Sequence, residues 1–189
     1  MSAGGAIVLA GFMGAGKTTA ARDLAAMRGL RAHDVDHLIE AQAGAAVPEI
    51  FRRDGEPAFR ALEETVVCGL LREVGPGDVV SLSGGAVGSA AVRDALAHHL
   101  VVWLDIEPAL AWRRVAGGRR PLARDRASFE RLHAERRATY AAIADSIIPC
   151  AAREAMMAFV LADAYRSKFG GDHIDDVRAA VAAYRERIG

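Results

Sequence analysis

The chain is short of lysine, cysteine and long apolar runs. Of its 24 basic residues only Lys17 and Lys168 are lysines. Its two cysteines, Cys68 and Cys150, lack the spacing of a metal site. We therefore expect both to lie in apolar surroundings as small hydrophobic residues, which is consistent with a reducing compartment. No apolar run approaches the roughly 20 residues that a membrane span requires, and residues 1–5 lack the basic start of a signal peptide. These absences predict a soluble, cytoplasmic protein with no membrane partner.

The chain also lacks net charge, since 24 basic residues balance 24 acidic ones. No overall field therefore attracts nucleic acid, and we expect no nucleic-acid partner. The 189 residues are 52% hydrophobic, which is enough for one domain with a real core and short for two. We predict a single domain over residues 1–189, as a monomer or a weak homo-oligomer.

A glycine-rich segment near the start of the chain carries the strongest signal. Residues 11–18 fit the pattern G-x-x-x-x-G-K-[ST] without a mismatch, between an apolar run at 6–10 and a helix-forming stretch at 19–27. In such a loop backbone N–H groups surround phosphates, Lys17 adds a point charge, and the Thr18 hydroxyl is placed to bind Mg²⁺. The predicted ATP-binding residues of this segment are Gly14, Ala15, Gly16, Lys17, Thr18 and Thr19.

Short apolar runs alternate with helix-period stretches along the rest of the chain. The predicted strands are 6–10, 30–33, 79–82, 101–106 and 146–150. The predicted helices are 19–27, 36–43, 56–73, 89–98, 108–115 and 127–144, followed by a tail with helices at 152–168 and 172–188. Such alternation is typical of an α/β fold with a parallel sheet. Ligands of such sheets collect beyond the carboxyl ends of the strands.

Two carboxylates follow the second predicted strand. Asp34 and Asp36 have a spacing that, in an extended segment, points both side chains the same way. One could order Mg²⁺ while the other accepts a hydrogen bond from a substrate hydroxyl and takes its proton. Alternatively, Asp36 is the N-cap of the following helix. Asp105, at the end of a strand of Walker B type, is a rival metal ligand.

Nine arginines fall between Arg113 and Arg137. Most fit solvated helix faces, and the lack of interleaved aromatic residues disfavours a nucleic-acid patch. Arg120 follows Gly117 and Gly118 in a segment able to close over phosphates, where an arginine stabilises charge on a transferring phosphoryl group and closure excludes water.

With these residues the chain resembles the shikimate kinases. The resemblance runs from about residue 7 to 153 in order and spacing. Its motifs are residues 11–19, 34–36 with 39–40, 50–51, 55–56 with 59–60 and 63, 84–87, 120–122, and Arg136 four residues before Tyr140.

The resemblance implies a three-layer αβα P-loop kinase with a central parallel sheet of about five strands and a mobile lid at about 116–126. It implies transfer of the γ-phosphoryl group of ATP, with Mg²⁺, to the 3-hydroxyl of shikimate, a small carboxylated cyclic alcohol. Catalysis would fall to Lys17, Asp36 and Arg120, and the metal to Thr18 and Asp34. The further implied contacts are Asp36, Arg60, Gly84, Gly85 and Arg136 with shikimate, and Arg120 and Arg153 with ATP.

Three departures from the family affect the prediction of the acceptor. Ser83 stands where the family has the first of three glycines, and its side chain could crowd the pocket or offer a hydroxyl to a modified substrate. The lid is short, and the helical tail at about 151–189 is longer than expected. Two alternatives therefore stay open: a kinase for a related cyclitol or sugar acid, and a nucleotide-binding regulatory protein without transfer activity. For Arg60 the alternative to binding a substrate carboxylate is a purely structural role, as a surface arginine paired with Glu56 or Glu63 at helix spacing.

Overall fold

Five parallel strands form the centre of the computed structural model, which describes residues 5–116 and 125–149. Their spatial order is β2-β3-β1-β4-β5, and every neighbouring pair is parallel. The α/β class with a five-stranded parallel sheet is therefore confirmed. The strands are β1 (Ile7–Ala10), β2 (Arg31–Asp34), β3 (Asp78–Ser81), β4 (Leu100–Asp105) and β5 (Ser146–Pro149).

Helices connect these strands, and most lie within two residues of their predicted bounds. They are α1 (Lys17–Arg28), α2 (Val35–Ala43), α3 (Val47–Glu73), α4 (Ala90–Leu96), α5 (Pro108–Val115) and α6 (Arg126–Ile143), with a 3₁₀ turn at Ala86–Gly88. None of the helices in the two described ranges is long and apolar enough to cross a membrane. Residues 117–124 of the predicted lid, with Arg120, and the predicted tail, with Arg153, lie outside the described residues.

The main error in the predicted elements concerns α3. Its first two turns, before residue 56, were not predicted as helix. Gly55 interrupts the helix with φ 81° and ψ 169°, a left-handed φ that glycine adopts without steric cost. The interruption divides α3 into two parts, and the second begins where the sequence predicted a helix.

The apolar runs read from the sequence form the buried centre of the sheet. All four residues of β1 are buried, as are five of the six in β4. They belong to one apolar cluster that includes residues of every strand except β2. Helices cover both faces of such strands, which explains continuous rather than alternating apolarity.

A buried acid joins the edge strand β2 to β3. The Asp78 carboxylate lies 2.9 Å from the Arg31 guanidinium and 2.8 Å from Nε2 of His33, and it accepts the Gly75 amide at 2.9 Å. Burial acts to raise its pKa, but these hydrogen bonds outweigh that effect, so the pKa of Asp78 lies below its usual value. The contacts secure the strand that ends at Asp34.

Candidate active site

The loop after β1 has the backbone that its glycines permit. Gly14 and Gly16 have φ values of 82° and 83°, and Gly16 is the N-cap of α1. A Cβ atom on Gly11 would lie 2.6 Å from the Leu104 carbonyl oxygen. The glycines of the motif are therefore required by conformation and by close packing against β4.

Lys17 and Arg114 hold this loop from two sides. The Lys17 ammonium donates to the carbonyl oxygens of Gly11 at 2.8 Å and Phe12 at 3.2 Å. Arg114, on α5, donates to the Gly14 carbonyl oxygen at 2.9 Å. The lysine thus lies within the loop, and Arg114 is a contact that the sequence motif did not indicate.

Thr18 and Asp34 meet where α1 faces the end of β2. The Thr18 hydroxyl donates to Oδ2 of Asp34 at 2.6 Å. Since that hydroxyl proton is already used, the Ser81 hydroxyl, 3.4 Å away, must be the donor in its contact with Thr18. The two residues predicted as metal ligands therefore lie side by side.

Asp34 is also the N-cap of α2, since its Oδ1 accepts the amide of His37 at 3.2 Å. The alternative that Asp36 caps this helix is therefore wrong, because the helix begins at Val35, one residue earlier than expected. Asp36 lies instead in the first turn and lines a neighbouring pocket.

Asp105, the rival metal ligand, has a different partner. Its Oδ2 lies 3.0 Å from the guanidinium of Arg137 on α6. Asp34, and not Asp105, is hydrogen-bonded to the Thr18 hydroxyl.

An open pocket with a cavity volume of about 80 Å³ adjoins the phosphate-binding loop. It collects every substrate-binding residue predicted from the resemblance, together with Met13 of the loop. Its lining consists of Met13, Asp36, Val47, Phe51, Phe59, Arg60, Glu63, Ser83, Gly84, Gly85 and Arg136. The pocket therefore combines an apolar wall with two arginines and two acids.

Arg60 enters the pocket from α3 between two glutamates. Its Nη1 donates to Oε2 of Glu63 at 2.6 Å, and its Nη2 to Oε1 of Glu56 at 3.0 Å. The guanidinium carbon lies 5.2 Å from the ring centre of Phe59. Burial acts to lower the Arg60 pKa, but attraction and hydrogen bonding by Glu63, then Glu56, raise it above its usual value. Both helix-spaced pairings that the sequence suggested are thus present, in a residue that also lines the pocket.

Arg136 enters from α6 and contacts the loop after β3. Its Nη1 donates to the Gly84 carbonyl oxygen at 3.2 Å, and the Tyr140 hydroxyl donates to the same oxygen at 2.6 Å. Burial lowers the pKa of Arg136, and repulsion by Arg60 adds to that effect although Tyr140 opposes it. Burial also raises the pKa of Tyr140, which stays a neutral donor. The second pocket arginine is therefore partly desolvated and lies in the field of the first.

The Ser83 hydroxyl already donates its proton at the edge of the pocket. The side chain is 5% exposed, and its Oγ donates to Oε1 of Glu63 at 2.6 Å. The hydroxyl proton is therefore not available to a modified substrate, because a buried glutamate accepts it.

Glu63, which lines the pocket, and Tyr140, whose hydroxyl contacts the Gly84 carbonyl oxygen, received no binding or catalytic role from the sequence. Glu63 is only 2% exposed, and it joins Arg60 to Ser83. Tyr140 lies four residues after Arg136 and so on the same helix face. That spacing was the available signal for Tyr140, whereas the contact between Glu63 and Ser83 has no local signature.

The sheet, the phosphate-binding loop and the adjoining pocket define a P-loop protein of the α/β class. The family model described as shikimate kinase matches residues 13–165. A shikimate kinase of Mesorhizobium japonicum is 42% identical over 174 residues, which cover 89% of this chain and 84% of that protein. The chain belongs to the shikimate kinase family, a family of ATP-dependent kinases.

Two further comparisons agree with this assignment. A shikimate kinase of Mycobacterium ulcerans is 48% identical over 116 residues, and this match spans 61% of the chain and 62% of that relative's length. A solved structure titled shikimate kinase from Acinetobacter baumannii in complex with shikimate superposes with a TM-score of 0.73 at 34% identity. That match covers 78% of this chain and 84% of the other.

Proposed function

We propose that the protein transfers the γ-phosphoryl group of ATP to the 3-hydroxyl of shikimate. The observation that carries the proposal is the convergence of Arg60 and Arg136 in a pocket that also contains Asp36 and adjoins the phosphate-binding loop. An acceptor with both a carboxylate and a ring hydroxyl matches this combination of charges.

The two arginines supply the reason for a carboxylated acceptor. Each guanidinium repels the other, and burial deprives Arg136 of part of its hydration. A carboxylate bound between them relieves both effects, and the planar fork of arginine suits two-point binding of a carboxylate. Gly84 and Gly85 leave the backbone close to the acceptor ring.

Asp36 orients the acceptor and receives its proton in this proposal. As the acceptor oxygen forms its bond to the γ-phosphorus, the bond from that phosphorus to the bridging oxygen breaks and ADP leaves. The hydroxyl proton passes to the Asp36 carboxylate. Lys17 and the loop amides stabilise the charge that develops on the phosphoryl oxygens, so catalysis is mainly positioning and electrostatics.

The residues Thr18 and Asp34 fit a magnesium ion. A hydroxyl and a carboxylate 2.6 Å apart at the phosphate-binding loop are hard oxygen donors of the type that Mg²⁺ prefers. In the described ranges, no group of three or more His, Cys, Asp or Glu side chains could hold a metal. Thr18 and Asp34 would hold the ion, which would supply positive charge against the nucleotide phosphates.

Some parts of the proposal rest on the family resemblance alone. These are the roles of Arg120 in a closing lid and of Arg153 near the nucleotide base, both outside the described residues. We also propose that the chain forms a single domain and that it is a monomer or a weak homo-oligomer. Its proposed location is the cytoplasm, where ATP is supplied.

The test is a coupled ADP-release assay on purified protein with MgATP, with and without shikimate. We expect shikimate-dependent turnover of about 1–100 per second, the usual range of kinases. Protein that binds ATP but shows no stimulation would contradict shikimate as acceptor, and a panel of related ring acids would then identify the substrate. Protein that binds ATP but phosphorylates none of these acceptors would favour the alternative of a nucleotide-binding regulatory protein without transfer activity.

A further inference from the structure

The Ser83 side chain connects the end of the sheet to a carboxylate on α3. Its Oγ donates to Oε1 of Glu63, and the other carboxylate oxygen of Glu63 accepts Nη1 of Arg60, each at 2.6 Å. Glu63 is 2% exposed, so water does not replace a lost partner at this carboxylate. The orientation of Glu63 is therefore set by these two bonds.

Of the two partners, Ser83 has the shorter side chain and lies next to the sheet. It comes two residues after β3, and the amide of the intervening Leu82 donates to the Leu9 carbonyl oxygen of β1 at 3.0 Å. The Ser83 carbonyl oxygen accepts the Ala86 amide at 3.3 Å. The Arg60 guanidinium, by contrast, lies at the end of a long side chain with several rotatable bonds. The fixed serine thus determines where Glu63 holds the arginine.

The three residues that begin at Ser83 contact both pocket arginines. Gly84 accepts Arg136 through its carbonyl oxygen, and a Cβ atom on Gly85 would collide with the Arg60 guanidinium. Ser83 reaches Arg60 through Glu63. The relative placement of the two guanidinium groups therefore depends on this short segment.

We propose that Ser83 is a positioning residue for acceptor binding: its hydroxyl orients the Glu63 carboxylate, which holds the Arg60 guanidinium for the acceptor carboxylate. The inference rests on the proposed function for the identity of the acceptor. It replaces the view that a serine at this position crowds the pocket or contacts a modified substrate.

The first test is Ser83→Ala, measured by shikimate binding in calorimetry without nucleotide and by steady-state kinetics. We expect the shikimate Kd and KM to rise roughly tenfold, as for one lost hydrogen bond to a charged group. The KM for ATP should change less than twofold, because the phosphate-binding loop is untouched. Ser83→Gly should behave like Ser83→Ala, and it carries the same expectation if the alanine variant does not fold. Tighter shikimate binding in either variant would indicate crowding and overturn the proposal.

A double-mutant cycle separates positioning from general destabilisation. In an Arg60→Ala background, Ser83→Ala should change the shikimate KM less than twofold, since the arginine it positions is gone. A tenfold effect in both backgrounds would overturn the proposed route through Arg60. Unchanged binding in Ser83→Ala would overturn any role in acceptor binding.

Ser89→Ala is the matched control. Its hydroxyl also makes a 2.6 Å hydrogen bond to a glutamate of α3, Glu64. We expect lower thermal stability and an unchanged shikimate Kd. A Kd rise equal to that of Ser83→Ala would assign the effect to loosened packing of α3 and overturn the proposal. Wild-type protein that does not bind shikimate would refute the proposed function and this inference together, whereas wild-type binding without an effect of Ser83→Ala would refute only the inference.

Discussion

One hydrogen bond of Asp34 caps a helix and the other joins it to Thr18, the second proposed metal ligand. Substitutions of Asp34 by Asn and by Ala should therefore separate helix stability from metal binding. Its Oδ1 caps α2 through the His37 amide, and its Oδ2 accepts the Thr18 hydroxyl. Asn lacks the charge of Asp but retains an oxygen that can cap a helix, whereas Ala lacks both the charge and the oxygen. We predict that Asp34→Asn mainly weakens Mg²⁺ binding and that Asp34→Ala weakens both Mg²⁺ binding and the fold.

The magnitudes follow from these contacts. Asp34→Ala removes a cap worth about 1 kcal/mol and a hydrogen bond worth about another 1 kcal/mol. For a chain of this size a loss of about 2 kcal/mol lowers Tm by about 4–8 °C. Asp34→Asn loses about 0.5 kcal/mol from the interaction of its charge with the helix N-terminus, which corresponds to about 1–2 °C. Both variants should need about 10–100 times more Mg²⁺, as for the loss of an acidic group beside a metal.

Two measurements check this pair of variants. Thermal unfolding in EDTA without nucleotide gives the stability effect, and a Mg²⁺ titration of nucleotide binding, repeated for ADP release, gives the metal effect. Ser89→Ala, which removes the N-cap of α4, is the control that should lower Tm without changing the Mg²⁺ requirement. An unchanged Mg²⁺ requirement in Asp34→Asn would refute the metal role, and equal Tm losses in both variants would refute the capping argument.

Three further predictions follow from other contacts. Lys17→Ala should abolish turnover because the charge at the phosphates is lost, and near-normal ADP release would disprove the phosphate-binding assignment. Arg60→Ala should raise the shikimate KM about 10–100-fold with the ATP KM unchanged, and should lower Tm by leaving Glu63 buried without its cation. Adding Glu63→Gln should restore Tm and not KM; a restored KM would show that Arg60 does not bind the acceptor. Asp78→Asn should lower Tm at pH 7 because the depressed pKa of Asp78 reflects contacts to its charged form. Since that stabilisation is present above the unfolded pKa of about 3.9 and is lost as pH falls below it, the Tm difference from wild type should shrink in acid; a pH-independent difference would contradict this origin.

Much of the fold was predictable because its signals are local. Apolar runs, the glycine-rich loop and helix-period stretches each reflect neighbours in sequence, and they identified all five strands. The first two turns of α3 were missed because they hold charged residues and end at Gly55, which reads as a helix terminator. At their start, Glu40 of α2 accepts the Val47 amide at 2.9 Å, a contact that local helix spacing does not indicate.

The sequence predicted which residues line the pocket, but it did not predict the hydrogen bonds between them. The motif and the resemblance indicated Asp34, Asp36, Arg60 and Arg136, and Asp36 and both arginines line one pocket. The residues alone left open whether Asp36 is a cap or a pocket residue, and the structure decides this with a helix that starts one residue earlier than its pattern suggested. Such a shift decides which carboxylate accepts the backbone amide and which lines the pocket.

The bond between Ser83 and Glu63 shows why a departure from a motif needs the folded structure. Twenty residues separate the partners, one after a strand and the other within a helix, so neither helix spacing nor strand alternation indicates the contact. Read in sequence, a serine among glycines predicts a smaller pocket. In the folded protein the hydroxyl satisfies one oxygen of a buried carboxylate whose other oxygen holds a pocket arginine. Since a buried carboxylate is costly without donors, removal of this hydroxyl should affect the arginine before it affects the volume of the pocket. The effect of Ser83→Gly on shikimate affinity, a loss or a gain, therefore decides between the two interpretations.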